Sequence, residues 1–365
     1  MNTRSHLLIA SLALLIASCK KDDDTPPSPG GGGNNTGGGN GPGHVYVCGG
    51  ENTGGSTDWY PRYWKDGVEH VVGDGSRGNA HAIWANDAHV IIAGMVYDGG
   101  LMMPCYWQDG DLQELNTYAC GDCRAEDVFV VGENDVHLAG HVRIDDQFST
   151  TQKAMYWNNG VGMELTDGQH DARAYGVFVE NGDVYVCGYE KDGPGGRKLA
   201  KYWVNGVPVV LGDGEESSEA YAIWVENGTV YVAGYEEADP LNMENFEERP
   251  ALWVNGVRDL LSSFPGHAEG LFVKNGEVHV VGYTQPVSGS NMNMATRWVN
   301  GVSSGIYTSA PPQNGSRGRD IFVHNGEVHT VMSYFGVTGS AGHYANNTTP
   351  TQAFLGDVAW GIHIY

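Results

Sequence analysis

Apolar residues along this chain come in adjacent pairs and short alternations, and no stretch carries a sustained helical stripe. The pairs are Ile83-Trp84, Val128-Phe129, Val177-Phe178, Ile223-Trp224, Leu271-Phe272 and Ile321-Phe322. Adjacent side chains on a strand point to opposite faces of its sheet, so each pair predicts a strand covered on both sides. Asn181-Gly182, Asn227-Gly228, Asn275-Gly276 and Asn325-Gly326 follow such pairs. A type I′ turn needs positive φ at both central residues, and Asn-Gly supplies it, so these read as hairpins. A second set, Asp66-Gly67, Asp109-Gly110, Asn159-Gly160, Asn205-Gly206, Asn255-Gly256 and Asn300-Gly301, predicts another hairpin in each copy.

The copies number seven. A small residue opens the first strand at Ala80, Ala125, Ala174, Ala220, Ala268, Gly318 and Ala359. The second strand carries Gly49, Gly94, Gly140, Gly188, Gly234 and Gly282, with Ser333 as a degenerate seventh. Trp64, Trp107, Trp157, Trp203, Trp253 and Trp298 mark the third strand, with Tyr344 in the last place. Second- and third-strand landmarks recur every 43 to 51 residues, which fits four-stranded propeller blades rather than helical repeats. The opening copy, from His44, lacks a first strand, and the chain finishes on Ala359-Trp360-Gly361-Ile362-His363-Ile364-Tyr365, a first strand with nothing after it. The reading is an all-β, seven-bladed β-propeller over 44–365, in which the C-terminal strand completes blade 1 and leaves no open edge.

The N-terminus adds an address. An apolar run over 7–17 follows Arg4 and His6 and is too short for a stable membrane span, so 1–18 reads as a signal peptide. Ile16-Ala17-Ser18-Cys19 resembles a bacterial lipobox, implying cleavage before Cys19 and its lipidation. Lys20-Lys21-Asp22-Asp23-Asp24 resembles the acidic export signal of Bacteroidetes lipoproteins, which implies the outer face of the outer membrane; a solvated charge run is the alternative. Residues 19–43 hold Pro, Gly, Asn, Ser and Thr but almost no apolar side chains, and so form a disordered tether behind the lipidated Cys.

A formal charge of −24 repels phosphate backbones, so nucleic acid is excluded as a partner. Cys48 and Cys187 stand where other blades have Ala93, Ala139 and Ala233 and read as small buried residues. Cys120 and Cys123 lie between blades 2 and 3 without the further ligands that zinc requires, and in an oxidising exterior a local disulfide fits them better. Asp74-Gly75, Asp167-Gly168 and Asp213-Gly214 are turns leaving the fourth strand. No cofactor or metal is expected; calcium at these aspartates is the remaining alternative, although no spaced Asp ladder is present. The recurring Trp positions serve blade packing, since a ligand is rarely sevenfold symmetric.

Both tight turns of each blade fall on one face, so the long connections gather on the other. That variable face takes in Trp59, Tyr60, 145–148, 236–248 and Tyr334-Phe335. Near the central funnel the position after each small residue is unrepeated: His81, Glu126, Tyr175, Tyr221, Glu269, Arg319 and Trp360. These are the candidate ligand-binding residues, weighed against plain tolerance at a rim. With its Trp-x-Asn-Gly turns, the chain resembles the Tyr-Trp-x-Asn-Gly repeat lipoproteins of Bacteroidetes, a family of unknown function. It carries no Gly-x-Ser-x-Gly, His-Glu-x-x-His or phosphate-binding glycine loop. Two functions follow as expectations. One is a surface-anchored, non-enzymatic binding or scaffolding module that recognises a glycan, peptide or protein through the loop face of the propeller. The other is a carbohydrate-active hydrolase or lyase using Glu126 and Glu269 with His81 or Arg319.

Overall fold

A computed structural model describes residues 43–52, 58–115, 120–145, 150–237, 247–286, 292–306, 315–334, 340–345, 352–355 and 357–365. The expected signal peptide, Cys19 and the tether up to residue 42 lie outside them, as do 146–148, 238–246 and Phe335 of the loop face.

The described residues form seven four-stranded antiparallel sheets, the blades of an all-β propeller. In blade 1, Asp357–Ile364 pairs with Val45–Asn52, which pairs with Trp59–Lys65 and that with Val68–Val71. The sheets within 78–114, 124–164, 172–210, 218–260, 266–305 and 316–355 are blades 2 to 7, each a simple meander. Their inner strands are Gly78–Ala85, Arg124–Val131, Ala172–Glu180, Ser218–Glu226, Gly266–Lys274 and Ser316–His324. Each touches the next, and Asp357–Ile364 touches both Ser316–His324 and Gly78–Ala85.

The Asn-Gly and Asp-Gly turns form as their chemistry demands. Asp66, Asp109, Asn159, Asn205, Asn255 and Asn300 all have φ between 48° and 54°. Their side-chain oxygens also accept the N–H that opens the second strand of the same blade, from Val45, Val90, Val136, Val184, Val230 and Val278, at 2.8–2.9 Å. One residue thus makes the turn and caps a strand two elements earlier. Trp157, Trp203, Trp253 and Trp298 are fully buried in the blade packing. An aromatic girdle joins the inner strands: Phe129, Phe178, Trp224, Phe272, Phe322, His363 and Trp84 stand with successive ring centroids 4.7–6.0 Å apart.

Two details differ from the sequence reading. The inner strands begin about two residues before the small landmark, because pairing with the second strand continues there, as between Gly78 and Val96. In blade 7 the residue opposite Gly318 is Met332, so Met332 and not Ser333 takes the place of the second-strand glycine.

Every inner strand then carries a register shift at the same point. It lies between Ala80 and Ala82, Ala125 and Asp127, Ala174 and Gly176, Ala220 and Ala222, Ala268 and Gly270, Gly318 and Asp320, and, in blade 1, Ala359 and Gly361. A β-bulge leaves one residue unpaired and re-aims its side chain. The bulge also presses the backbone against the second strand, where a Cβ on Gly94, Gly140, Gly188, Gly234 or Gly282 would overlap the carbonyl oxygen of Asn79, Arg124, Arg173, Glu219 or His267. The small-residue and glycine landmarks are the two sides of this one contact.

Candidate functional site

The seven unpaired residues are His81, Glu126, Tyr175, Tyr221, Glu269, Arg319 and Trp360. Together with Asn79, Arg124, His267 and Arg317 they line one central cavity of about 380 Å³. The bulges bring all seven sequence candidates together and point a different side chain inward from each blade.

A second tier stands behind them at the residue after the second-strand glycine: Met95, His141, Tyr189, Tyr235, Tyr283 and Ser333, all buried. On the wall of blades 4 to 6, Tyr175 and Tyr221 meet edge to face at 5.3 Å, and Tyr221 lies 5.6 Å from His267. His267 stacks on Tyr235 at 4.5 Å and bonds Glu248 at 2.6 Å. Glu219 accepts from Tyr175 and Tyr235 at 3.1 and 2.9 Å and is paired with Lys198. Burial is the main cause that raises the Tyr175 and Tyr221 hydroxyls well above their ordinary pKa. Both stay neutral donors.

The facing wall is ionic. Arg319 donates to Ser333 at 3.0 Å and to Glu269 at 2.9 Å, and its guanidinium lies over the Trp360 ring at 4.4 Å. Arg317 stands 3.8 Å from the other Glu269 oxygen and over Tyr283. His81 Nδ1 donates to the Ala125 carbonyl at 2.9 Å and stands 3.4 Å from Glu126. His141, wholly buried, lies 3.5 Å from both Glu126 and Asp122. Burial works to raise the Glu126 carboxyl, but His81, His141 and two arginines outweigh it and hold it below its ordinary value. At His81 burial prevails over the neighbouring Glu126 and lowers the pKa.

Asp122 belongs to the short loop closed by the Cys120–Cys123 disulfide. It accepts from Arg124 at 3.1 Å, from Arg173 at 3.0 Å and from Gln152 at 2.5 Å. His141 beside it, with both arginines, holds the carboxyl well below the usual carboxylate range. Cys120 exchanges two backbone hydrogen bonds with Met102 of blade 2. The loop therefore ties blades 2, 3 and 4 together at the cavity's edge.

Elsewhere the sequence candidates resolve simply. Cys48 and Cys187 are fully buried, and burial pushes their thiols far up. Asp74, Asp167 and Asp213 each accept the N–H two residues on, the bond of an Asx turn. Among the described residues no group of three or more His, Cys, Asp or Glu is arranged to hold a metal ion.

Sequence reasoning missed Asn79, Arg124, His267 and Arg317. The position before each small residue, running Asn79, Arg124, Arg173, Glu219, His267, Arg317 and Val358, is polar or charged in six of seven copies, and that signal was available.

No family model and no curated protein matches the chain. Among solved structures it is similar to the β-propeller domain of the Trilobed protease from Pyrococcus furiosus, at 9% identity over 85% of this chain and 93% of that one, with a TM-score of 0.48. It is also similar to a Bombyx mori GH32 β-fructofuranosidase (10% identity, 77% and 78% covered, TM-score 0.34) and to a sucrose-6-phosphate hydrolase from Lactobacillus gasseri (8%, 88% and 83%, 0.30). Likenesses this distant carry no residue, substrate or activity over to this chain.

Proposed function

We propose that this chain is a seven-bladed propeller closed by its C-terminal strand, anchored through Cys19 as a Bacteroidetes surface lipoprotein, and that it works as a non-enzymatic binding module. The funnel is its ligand pocket, and the ligand a glycan or peptide. One observation carries the reading: seven bulges aim seven side chains of five different types into a single cavity. Blade packing alone asks for the same residue in every blade, as the buried tryptophans illustrate. A cavity of about 380 Å³ admits one or two sugar rings or a few peptide side chains and excludes a folded partner.

The hydrolase or lyase alternative needs a carboxyl kept protonated as general acid, raised in pKa by its surroundings. Glu126 is held down instead, and Glu269 is engaged by Arg319. These glutamates also come from inner strands three blades apart. Binding is therefore the better-supported function.

The test is a glycan and peptide array probed with wild type and a Tyr221→Ala/Trp360→Ala variant. Binding should fall at least tenfold, about 1.4 kcal/mol, while the melting midpoint shows the variant folded. Equal binding by both would move the site out to the loops. Turnover of a bound glycan that Glu126→Gln or Glu269→Gln abolishes would establish the enzyme instead.

A further inference from the structure

We infer that the funnel takes a sugar ring bearing a carboxylate, the hexuronic acid unit of an acidic polysaccharide. The inference rests on the reading of the funnel as the ligand pocket.

Charge is the first ground. In a chain of formal charge −24, the ionic wall of the funnel and its support hold four guanidiniums against three carboxylates, while Glu219 and Glu248 behind the aromatic wall are engaged by Lys198 and His267. Arg124 and Arg173 share Asp122, at 3.1 and 3.0 Å, and Arg317 and Arg319 share Glu269, at 3.8 and 2.9 Å. Glu126 faces the two imidazoles of His81 and His141. Buried charges are normally matched, and here each pair of arginines has one carboxylate between them. A further anion is accommodated at the funnel.

Hydrogen-bond capacity is the second. Arg319 uses Nε and Nη1 on Ser333 and Glu269, and Arg124 uses Nε on Asp122, which leaves further N–H groups on two residues that line the cavity. The lining is thus richer in donors than in acceptors. A carboxylate offers two coplanar oxygens that match a guanidinium fork and brings no donor of its own.

The third ground is the opposite wall. Tyr175, Tyr221 and His267 form a continuous aromatic arc against which the face of a pyranose stacks. Sugar hydroxyls, both donors and acceptors, also suit the neutral tyrosine hydroxyls. A peptide terminus would bring the same carboxylate but, unlike a hexuronic acid, no ring attached to it that can lie against the arc. The arc favours the sugar.

Calorimetry on the whole protein tests this with tetrasaccharides of galacturonate, glucuronate and mannuronate, the methyl esters of the same compounds, and a tetrapeptide with a free C-terminus. At least one acidic tetrasaccharide should bind at least tenfold more tightly than its ester and lose affinity with added salt. Arg319→Gln and Arg124→Gln should each remove most of that difference between acid and ester. Equal binding of acid and ester, lost on Tyr221→Ala, overturns the carboxylate and leaves the funnel as a sugar site. Preference for the tetrapeptide overturns the sugar. Failure of every probe to bind overturns both this inference and the reading beneath it.

Discussion

Asp127 and Asp320 sit one residue past the bulge, where the other blades carry Ala82, Gly176, Ala222, Gly270 and Gly361. Each carboxyl accepts two backbone N–H groups, one from its own strand and one from the next blade: Val128 and Val177 at 2.8 and 2.9 Å, Ile321 and Ile362 at 2.8 and 3.0 Å. Those bonds favour the charged form. Burial outweighs them, pushing Asp127 up to about 7 and Asp320 well above its ordinary value. The consequence for stability has a definite sign. Below about pH 4 the carboxyl is protonated folded and unfolded alike, and its full contribution is present. As pH rises, the unfolded chain ionises first and is favoured, so stability falls until the folded carboxyl ionises near 7 and then levels off. Asp127→Asn removes this titration. The stability advantage of wild type over that variant, measured by urea unfolding, should therefore shrink between about pH 4 and about pH 7. A constant gap would mean that Asp127 ionises in the fold as an ordinary aspartate does.

At the scale of the element, the bulge and its facing glycine act as a unit. A Cβ at Gly234 overlaps the Glu219 carbonyl oxygen, whereas a Cβ at Gly228, in the hairpin turn with φ 75°, meets nothing within 4 Å. Gly234→Ala should cost about 2 to 3 kcal/mol through forced backbone movement, and Gly228→Ala about 1 kcal/mol through strain alone. Urea unfolding checks the order, and a reversal would deny the bulge its close contact. The hairpins were legible because Asn-Gly carries its turn geometry in its composition, and the strands because paired apolar residues betray two covered faces. The bulge left no such mark. A register shift changes which residue points where without changing residue types, so only its shadow showed: a small residue, a facing glycine, and a variable residue in between. That shadow was enough to find His81 through Trp360 as a set. It was not enough for the polar support, since Asp122, His141 and Arg173 come from a loop and two blades that meet only once the ring is formed.

The whole molecule depends on one long-range pairing. Asp357–Ile364 is hydrogen-bonded to Val45–Asn52 and supplies Trp360 to the cavity and His363 to the aromatic girdle. Deleting residues 357–365 would leave blade 1 without its inner strand and expose the edge of Val45–Asn52 that it covers. The shortened protein should melt well below the full chain and through a broader transition; an unchanged midpoint would show that the ring does not rely on this strand.

The same pairing sets a clock on synthesis. Val45–Asn52 is made early, and its partner strand starts at Asp357, roughly 300 residues later. At about 5 to 20 residues per second, that edge waits on the order of 15 to 60 seconds for the segment that covers it. Through the wait the nascent chain presents a bare strand edge to its neighbours, and any event that ends translation early, a ribosome stall or a nonsense codon in the last blade, releases a product whose first strand, paired with Trp59–Lys65 on one side, keeps its other edge open to another copy of itself. Quality control acting on this protein has its target at residue 45, far from the lesion that exposed it.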